Sequence, residues 1–229
     1  MQEKLDSIDA GIIWSRFVSI ADEMVSALVR TSFSTMVRES GDYSCMLFDA
    51  KGRFLSQGTA SVPSFTGTGP ATLSGMLAHI PADTLADGDV LLTNDPWIGT
   101  GHVYDVNIVK PIFRNGRLVA YALSVSHLAD IGGIGYGTGA RDNYEEGICI
   151  PPVKLFVRGE PNKFVFDLIE ANVRFRDLVI GDIYSNVAAC NVAAAAIDDL
   201  LAEYGLADTV AAADAIFELT HHAISDVLR

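Results

Sequence analysis

Apolar residues recur every three or four positions at Ile13, Phe17, Ile20, Met24 and Leu28, the spacing of a helix with one buried stripe, so a helix is predicted over residues 12–30 with Ser7 or Asp9 as its cap. The period then shortens to two. Residues 43–48 alternate, Asp49-Ala-Lys-Gly52 turns the chain, and residues 53–55 return as the second strand of a hairpin. Residues 57–70 are crowded with Gly, Pro, Ser and Thr and predict a long irregular loop, followed by a short amphipathic helix over 71–79 and a buried strand over 90–92. Two further apolar runs, 106–113 and 118–125, flank Asn115-Gly116, a pair suited to the positive φ values of a two-residue hairpin turn. A strand is expected over 153–157. Two helices close the chain, one over 177–204 ending at Gly205 and one starting after Asp208. The pattern predicts a mixed α+β fold, with antiparallel hairpins in the first two thirds and helices at both ends. The chain reads as one unit with a β-rich region over 31–160 and a helical region over 170–229.

The central hairpin carries two copies of H-x-x-D, HVYD from His102 and HLAD from His127, one just before its first strand and one just after its second. Both should meet at its open end. With Asn115 and Gly116 as the turn, Arg114 faces Arg117 and His127 falls opposite Tyr104, which leaves His102 diagonally across on the same face, close enough for two imidazoles to share an ion. Asp105 has the wrong parity for a straight strand. A bend over residues 102–105, eased by Gly99-Thr-Gly101, would be needed to bring it in. Asp42 stands at the open end of the earlier hairpin, where local sequence alone marks it as a hydrogen-bonding residue ahead of a strand.

Composition narrows the setting. Apolar residues make up 49% of 229, ample for a core, and 29 acidic against 16 basic side chains give a net charge of −13 spread along the chain. That balance argues against nucleic acid and against an anionic membrane as partners. Cys45, Cys149 and Cys190 are far apart and odd in number, which signals neither a disulfide framework nor a thiolate zinc site. The first ten residues are mixed and charged, and no run reaches the roughly 20 apolar residues that span a bilayer. A reducing, cytoplasmic setting is expected. The glycine-rich stretch 132–139 lacks the Lys-Ser or Lys-Thr of a phosphate-binding P-loop and reads as a lid or connector. His79 at a helix end and the adjacent His221 and His222 read as surface residues.

Two imidazoles and one or two carboxylates form a nitrogen and oxygen donor set that suits Zn, Mn, Fe or Co. A divalent metal with an open position lowers the pKa of water toward neutrality, which is hydrolytic chemistry at a carbonyl. The competing reading makes His102 and His127 ordinary hydrogen-bonded residues at strand ends. Two histidines and an aspartate brought together by hairpin register favour the metal.

Several motifs together carry a family resemblance: WSRFVSIADEM from Trp14, RESGDYS from Arg38, GTASVPS from Gly58, NDPWIGTGH from Asn94, GTGARD from Gly137 and IPPVKL from Ile150. In these the chain resembles the hydantoinase B/oxoprolinase family over nearly its whole length. The resemblance implies a component of an ATP-dependent cyclic amidase that works in a hetero-oligomer with a hydantoinase A-type subunit, where the partner uses ATP to phosphorylate a small cyclic amide. It also implies metal ligands at His102, Asp105 and His127, with Asp42 as a fourth, and it leaves Asp130 as a supporting residue. Arg141 is a candidate for holding phosphate or carboxylate, because a guanidinium binds such groups bidentately; a surface ion pair with Asp142 or Glu145 is its other reading. The family's B-type chains are usually more than twice this length, so the chain reads as an amino-terminal portion. A ketone carboxylase subunit and a non-catalytic fragment are the alternative functions.

Overall fold

The computed structural model describes residues 6–135, 137 and 139–228. Met1 to Leu5, Tyr136, Thr138 and Arg229 lie outside these, so the opening residues and part of the glycine-rich stretch are not described. In chain order the elements are α1 (Ser7–Thr31), α2 (Thr35–Arg38), β1 (Tyr43–Asp49), β2 (Phe54–Gln57), α3 (Phe65–His79), β3 (Val90–Thr93), β4 (Asp105–Arg114), β5 (Arg117–His127), α4 (Asn143–Glu146), β6 (Val153–Val157), β7 (Glu160–Pro161), α5 (Lys163–Asn172), α6 (Arg176–Glu203) and α7 (Val210–Val227). These strands join one sheet in the order β2-β1-β5-β4-β3-β6-β7, and every pair is antiparallel. The mixed α+β expectation holds.

The sheet is covered on both faces, which explains why β1 is buried along its whole length. On one face, Ile13, Phe17, Met24 and Leu28 of α1 and Ile183, Ala189, Cys190 and Ala193 of α6 pack on Cys45, Leu47, Ile108, Ala120 and Ala122. On the other, Phe65, Leu73 and Met76 of α3 cover Met46, Phe48, Val109, Tyr121 and Leu123. By length and composition α6 could cross a membrane. It serves instead as a core helix here, with Asp182 and Asn186 buried in hydrogen bonds: Asp182 Oδ1 accepts from the backbone N–H groups of Phe33 and Ser34, and Asn186 bridges Ser124 and Ser126.

Four expectations change. The cap of α1 is Asp6, whose Oδ1 accepts from Ile8 and Asp9 N–H at 2.8 Å, one residue before the predicted Ser7. Helix α3 starts at Phe65, inside the stretch read as irregular. Packing overrides propensity there: a Cβ at Gly69 would overlap Met46 Sδ, so the glycine lets the helix lie against the sheet despite Pro70. Helix α5 is an element the sequence pattern did not place, although Val165, Phe166 and Ile169 are spaced to bury one face.

The fourth change concerns register. Arg114 does face Arg117, and Asn115 and Gly116 take φ values of 50° and 75°, as the hairpin turn requires. A β-bulge then intervenes, because Phe113 pairs with Leu118 but Ile112 pairs with Ala120, leaving Val119 as an extra residue on β5. Its carbonyl accepts from Thr209 Oγ1 at 2.6 Å, at the entrance to α7. Every pair beyond it is displaced by one. His127 therefore sits opposite Asp105 and not opposite Tyr104.

Candidate metal centre

The displacement decides which side chains share a face. Beyond the bulge, Asp105, Asn107 and Val109 of β4 alternate onto the α3 side with His127, Val125 and Leu123 of β5, and Asp42 continues the same alternation ahead of Ser44 and Met46 of β1. Asp42 is tied to the site by its backbone as well, since its carbonyl accepts from His127 N–H at 3.1 Å. His102 arrives differently. It sits in the bend between Gly101, with φ of 110°, and the start of β4, and Leu128 N–H donates to the carbonyl of Tyr104 at 2.9 Å to close that bend onto β5. Asp105 thus joins by bulge-shifted register, while the bend brings in His102.

One ligand atom from each of His102, Asp105 and His127 can be chosen so that all three lie within 4.8 Å of one another. His102 Nε2 is 3.4 Å from Asp105 Oδ2, and His127 Nδ1 is 3.4 Å from Asp105 Oδ1. Three ligands at about 2.0–2.2 Å from one ion, at tetrahedral angles, stand roughly 3.4 Å apart, so these separations suit a cation. Burial points the same way. Asp105 and His127 are almost fully buried, Thr100 Oγ1 donates to Asp105 Oδ2 at 2.8 Å, and Asp105 Oδ1 has no hydrogen-bond donor among the described residues. A buried carboxylate oxygen without a donor is costly unless a positive charge compensates it. Asn107 Oδ1 and Ser44 Oγ, one pair further into the sheet on the same face, are also buried without hydrogen-bond partners among the described residues. The Tyr104 ring stacks on His127 with centroids 5.0 Å apart and 11° between planes, fixing that imidazole.

The other expected residues fall into place around this group of three. Asp42 Oδ2 is 3.6 Å from His127 Nδ1 and partly exposed, beside the three but not one of them. Asp130 is buried and accepts from Gly132 N–H, from Arg174 N–H and from the Arg174 guanidinium, so it ties the start of the glycine-rich stretch to the approach to α6. Burial pushes its carboxyl up, but the hydrogen bonds and charge of Arg174 with the Gly132 amide outweigh this and hold it below the usual carboxylate range. Arg141 is exposed and forms the ion pair with Glu145 that the sequence offered as one reading. It also lines, with Trp97, Gly101, Asn143 and Glu146, a cavity of about 520 Å³ beside the His102 bend. The sequence assigns neither Trp97, 91% exposed at the rim and legible only as part of a family motif, nor Tyr104, Thr100, Asn94 and Glu146 a role at the site.

The sequence model of the hydantoinase B/oxoprolinase family matches residues 6–229. The chain belongs to that family. It is 29% identical over 233 residues to the B-type subunit assigned to a D-/L-hydantoinase of Pseudomonas sp. (strain NS671), covering 99% of this chain and 39% of that protein. The crystal structure of ATP-dependent caprolactamase from Pseudomonas jessenii superposes with a TM-score of 0.81 at 31% identity, over 95% of this chain and 37% of that one. Nucleotide-free acetone carboxylase superposes with a TM-score of 0.77 at 23% identity, over 85% of this chain and 26% of that one, a likeness of fold alone. This hydantoinase B-family chain therefore spans about two fifths of the length of the hydantoinase component it matches.

Proposed function

We propose that this chain is the metal-holding portion of one component of an ATP-dependent cyclic amidase, of the hydantoinase, oxoprolinase or lactamase kind. The observation that carries the reading is the convergence of His102 Nε2 and His127 Nδ1 on the buried Asp105 carboxylate, each 3.4 Å from one of its two oxygens, with Oδ1 lacking a hydrogen-bond donor among the described residues. His102, Asp105 and His127, with Asp42 alongside, would hold a divalent cation, Zn, Mn, Fe or Co. When bound, that cation supplies a Lewis acid that makes water a competent nucleophile near neutral pH.

The reaction proposed is addition of water to the carbon of an amide whose oxygen carries a phosphoryl group, with cleavage of the C–N bond to free the amine and leave an acyl phosphate, which a second water hydrolyses to carboxylate and phosphate. Phosphorylation belongs to a hydantoinase A-type partner using ATP, which makes the working unit a hetero-oligomer. The cavity beside His102 is the place for the small cyclic amide, and Arg141 receives its phosphoryl or carboxylate oxygens on leaving Glu145. Asp105 supplies the negative charge, Tyr104 holds the His127 ring, and the buried Asp105–His127 pair keeps bulk water from the inner side. A cytoplasmic setting fits the acidic surface and the burial of α6 against the sheet.

Likeness to acetone carboxylase extends to the fold only, so it adds nothing for ketone carboxylation. The test is metal content and partner-dependent hydrolysis. One divalent ion per chain is expected, lost in His102→Ala and His127→Ala, with ATP-dependent opening of hydantoin, 5-oxoproline or a lactam when the A-type partner is added. A chain that binds no metal at these residues would support the non-catalytic fragment instead, and bicarbonate-dependent consumption of a ketone would support the carboxylase.

A further inference from the structure

His102 is the one member of the group of three that no strand holds. Its side chain is 38% exposed against 3% for Asp105 and 9% for His127, and it follows Gly99-Thr100-Gly101, where Gly101 has φ of 110°. Such a backbone has many alternatives, so something outside the bend must select one. The next residue shows what does. Val103 is fully buried, and both its backbone groups bond to side chains from elsewhere. Its carbonyl accepts from Asn94 Nδ2 at 2.6 Å, and its N–H donates to Glu146 Oε2 at 3.3 Å.

The two side chains are themselves fixed by one segment. Asn94 is 1% exposed; its Nδ2 also donates to the Ile148 carbonyl at 2.9 Å, and its Oδ1 accepts from Ile150 N–H at 2.6 Å. Glu146 ends α4, which Asp142 caps by accepting from Tyr144 and Glu145 N–H at 3.0 Å. The segment is then pinned where Ile148 N–H donates to the Ile131 carbonyl at 2.9 Å.

We propose that Asn94 and Glu146 are positioning residues that clamp the Val103 backbone from both ends and thereby aim the His102 imidazole at the metal. This rests on the metal-centre reading above. Glu146 is half-buried and can be changed without opening the core, so it carries the test. Its role as an acceptor, not as a charge, predicts that Gln serves in its place, since an amide oxygen can still accept from Val103 N–H.

The experiment titrates the full 229-residue chain with Co²⁺ and follows the visible absorption of the bound ion, alongside thermal unfolding without metal. Glu146→Ala is expected to weaken Co²⁺ binding by about 10- to 100-fold, the range found when partners of metal ligands are removed, and to alter the spectrum, with unfolding of the metal-free chain little changed. Glu146→Gln should stay within about twofold of the parent with its spectrum, because the hydrogen bond survives. Asn94→Asp keeps the acceptor for Ile150 and loses both donated bonds, and it should weaken binding at least as much as Glu146→Ala. If Glu146→Ala leaves affinity and spectrum unchanged, or if Glu146→Gln is as weak as Glu146→Ala, the clamp is wrong while the metal centre stands. A parent chain that binds no Co²⁺ overturns the metal centre itself, and the clamp with it.

Discussion

The two ends of the β4–β5 hairpin are built by different kinds of instruction. At the turn, Asn115 and Gly116 adopt positive φ values, which asparagine tolerates and glycine, lacking a Cβ, adopts freely, and Arg114 faces Arg117. Everything needed is within four residues. At the open end, Asp105 faces His127 because Val119 is bulged, and the freed Val119 carbonyl is met by the Thr209 hydroxyl from 90 residues further along the chain. Local turn chemistry therefore sets where the hairpin folds, while a remote hydrogen bond stabilises the register that assembles the candidate metal centre.

Inserting one alanine between Ala120 and Tyr121 is the harshest way to break that difference. With Val119 still bulged, Ser126 would replace His127 opposite Asp105, and His127 would move opposite Tyr104 onto the other face. Metal affinity should fall by more than the roughly 10- to 100-fold typical of losing a supporting residue, measured by titration calorimetry, while far-ultraviolet circular dichroism still shows a folded α+β chain. Thr209→Val is milder. It removes both hydrogen bonds of that hydroxyl, the one donated to the Val119 carbonyl and the one accepted from Ala50 N–H, while the Thr209 N–H still reaches the carbonyl at 3.4 Å, and it should lower stability by about 1–3 kcal/mol in urea unfolding. Tyr104→Leu removes the ring stacked on His127 and should weaken metal binding by a few-fold, on the order of 0.5–1.5 kcal/mol, whereas Tyr104→Phe should retain most of it.

The smallest effect concerns acid. Two buried carboxylates away from the group of three, Asp89 and Asp130, are both held below the usual range. Burial opposes ionisation in each, yet Asp89 is overcome by Lys154 and by the amides of Arg158 and Ala86, and Asp130 by Arg174 and the Gly132 amide. A depressed folded-state pKa contributes stability above the ordinary carboxylate value of about 3.8 and loses it as pH falls through the folded value. Stability should therefore drop below about pH 4, and Asp89→Asn and Asp130→Asn should each flatten that acid limb in unfolding experiments followed against pH.

The same contrast explains what could be read from the chain. The stripe from Ile13 to Leu28 and the Asn115-Gly116 turn are local signals, and they match α1 and the hairpin. Both H-x-x-D segments point to the correct end of the correct hairpin. The parity of Asp105 misleads because nothing near Val119 marks a bulge whose partner is Thr209. Helix α3 begins earlier than its sequence suggests because Gly69 and Pro70 disfavour helix in isolation, while contact with Met46 favours it in the fold. Locally, Asp42 is indistinguishable from a residue preceding a strand, and only family likeness raises it to a ligand. Asn94 and Glu146 act through a peptide distant from both in sequence, which no local pattern announces.

The central claim is that His102, Asp105 and His127 converge on one cation. Crystals of the chain grown with Mn²⁺ or Co²⁺ and measured at that metal's absorption edge test it most directly. The account predicts a single strong anomalous peak about 2.0–2.3 Å from an imidazole nitrogen of each histidine and from an oxygen of Asp105. A map with no peak there, or with the metal bound only at other residues, would contradict it.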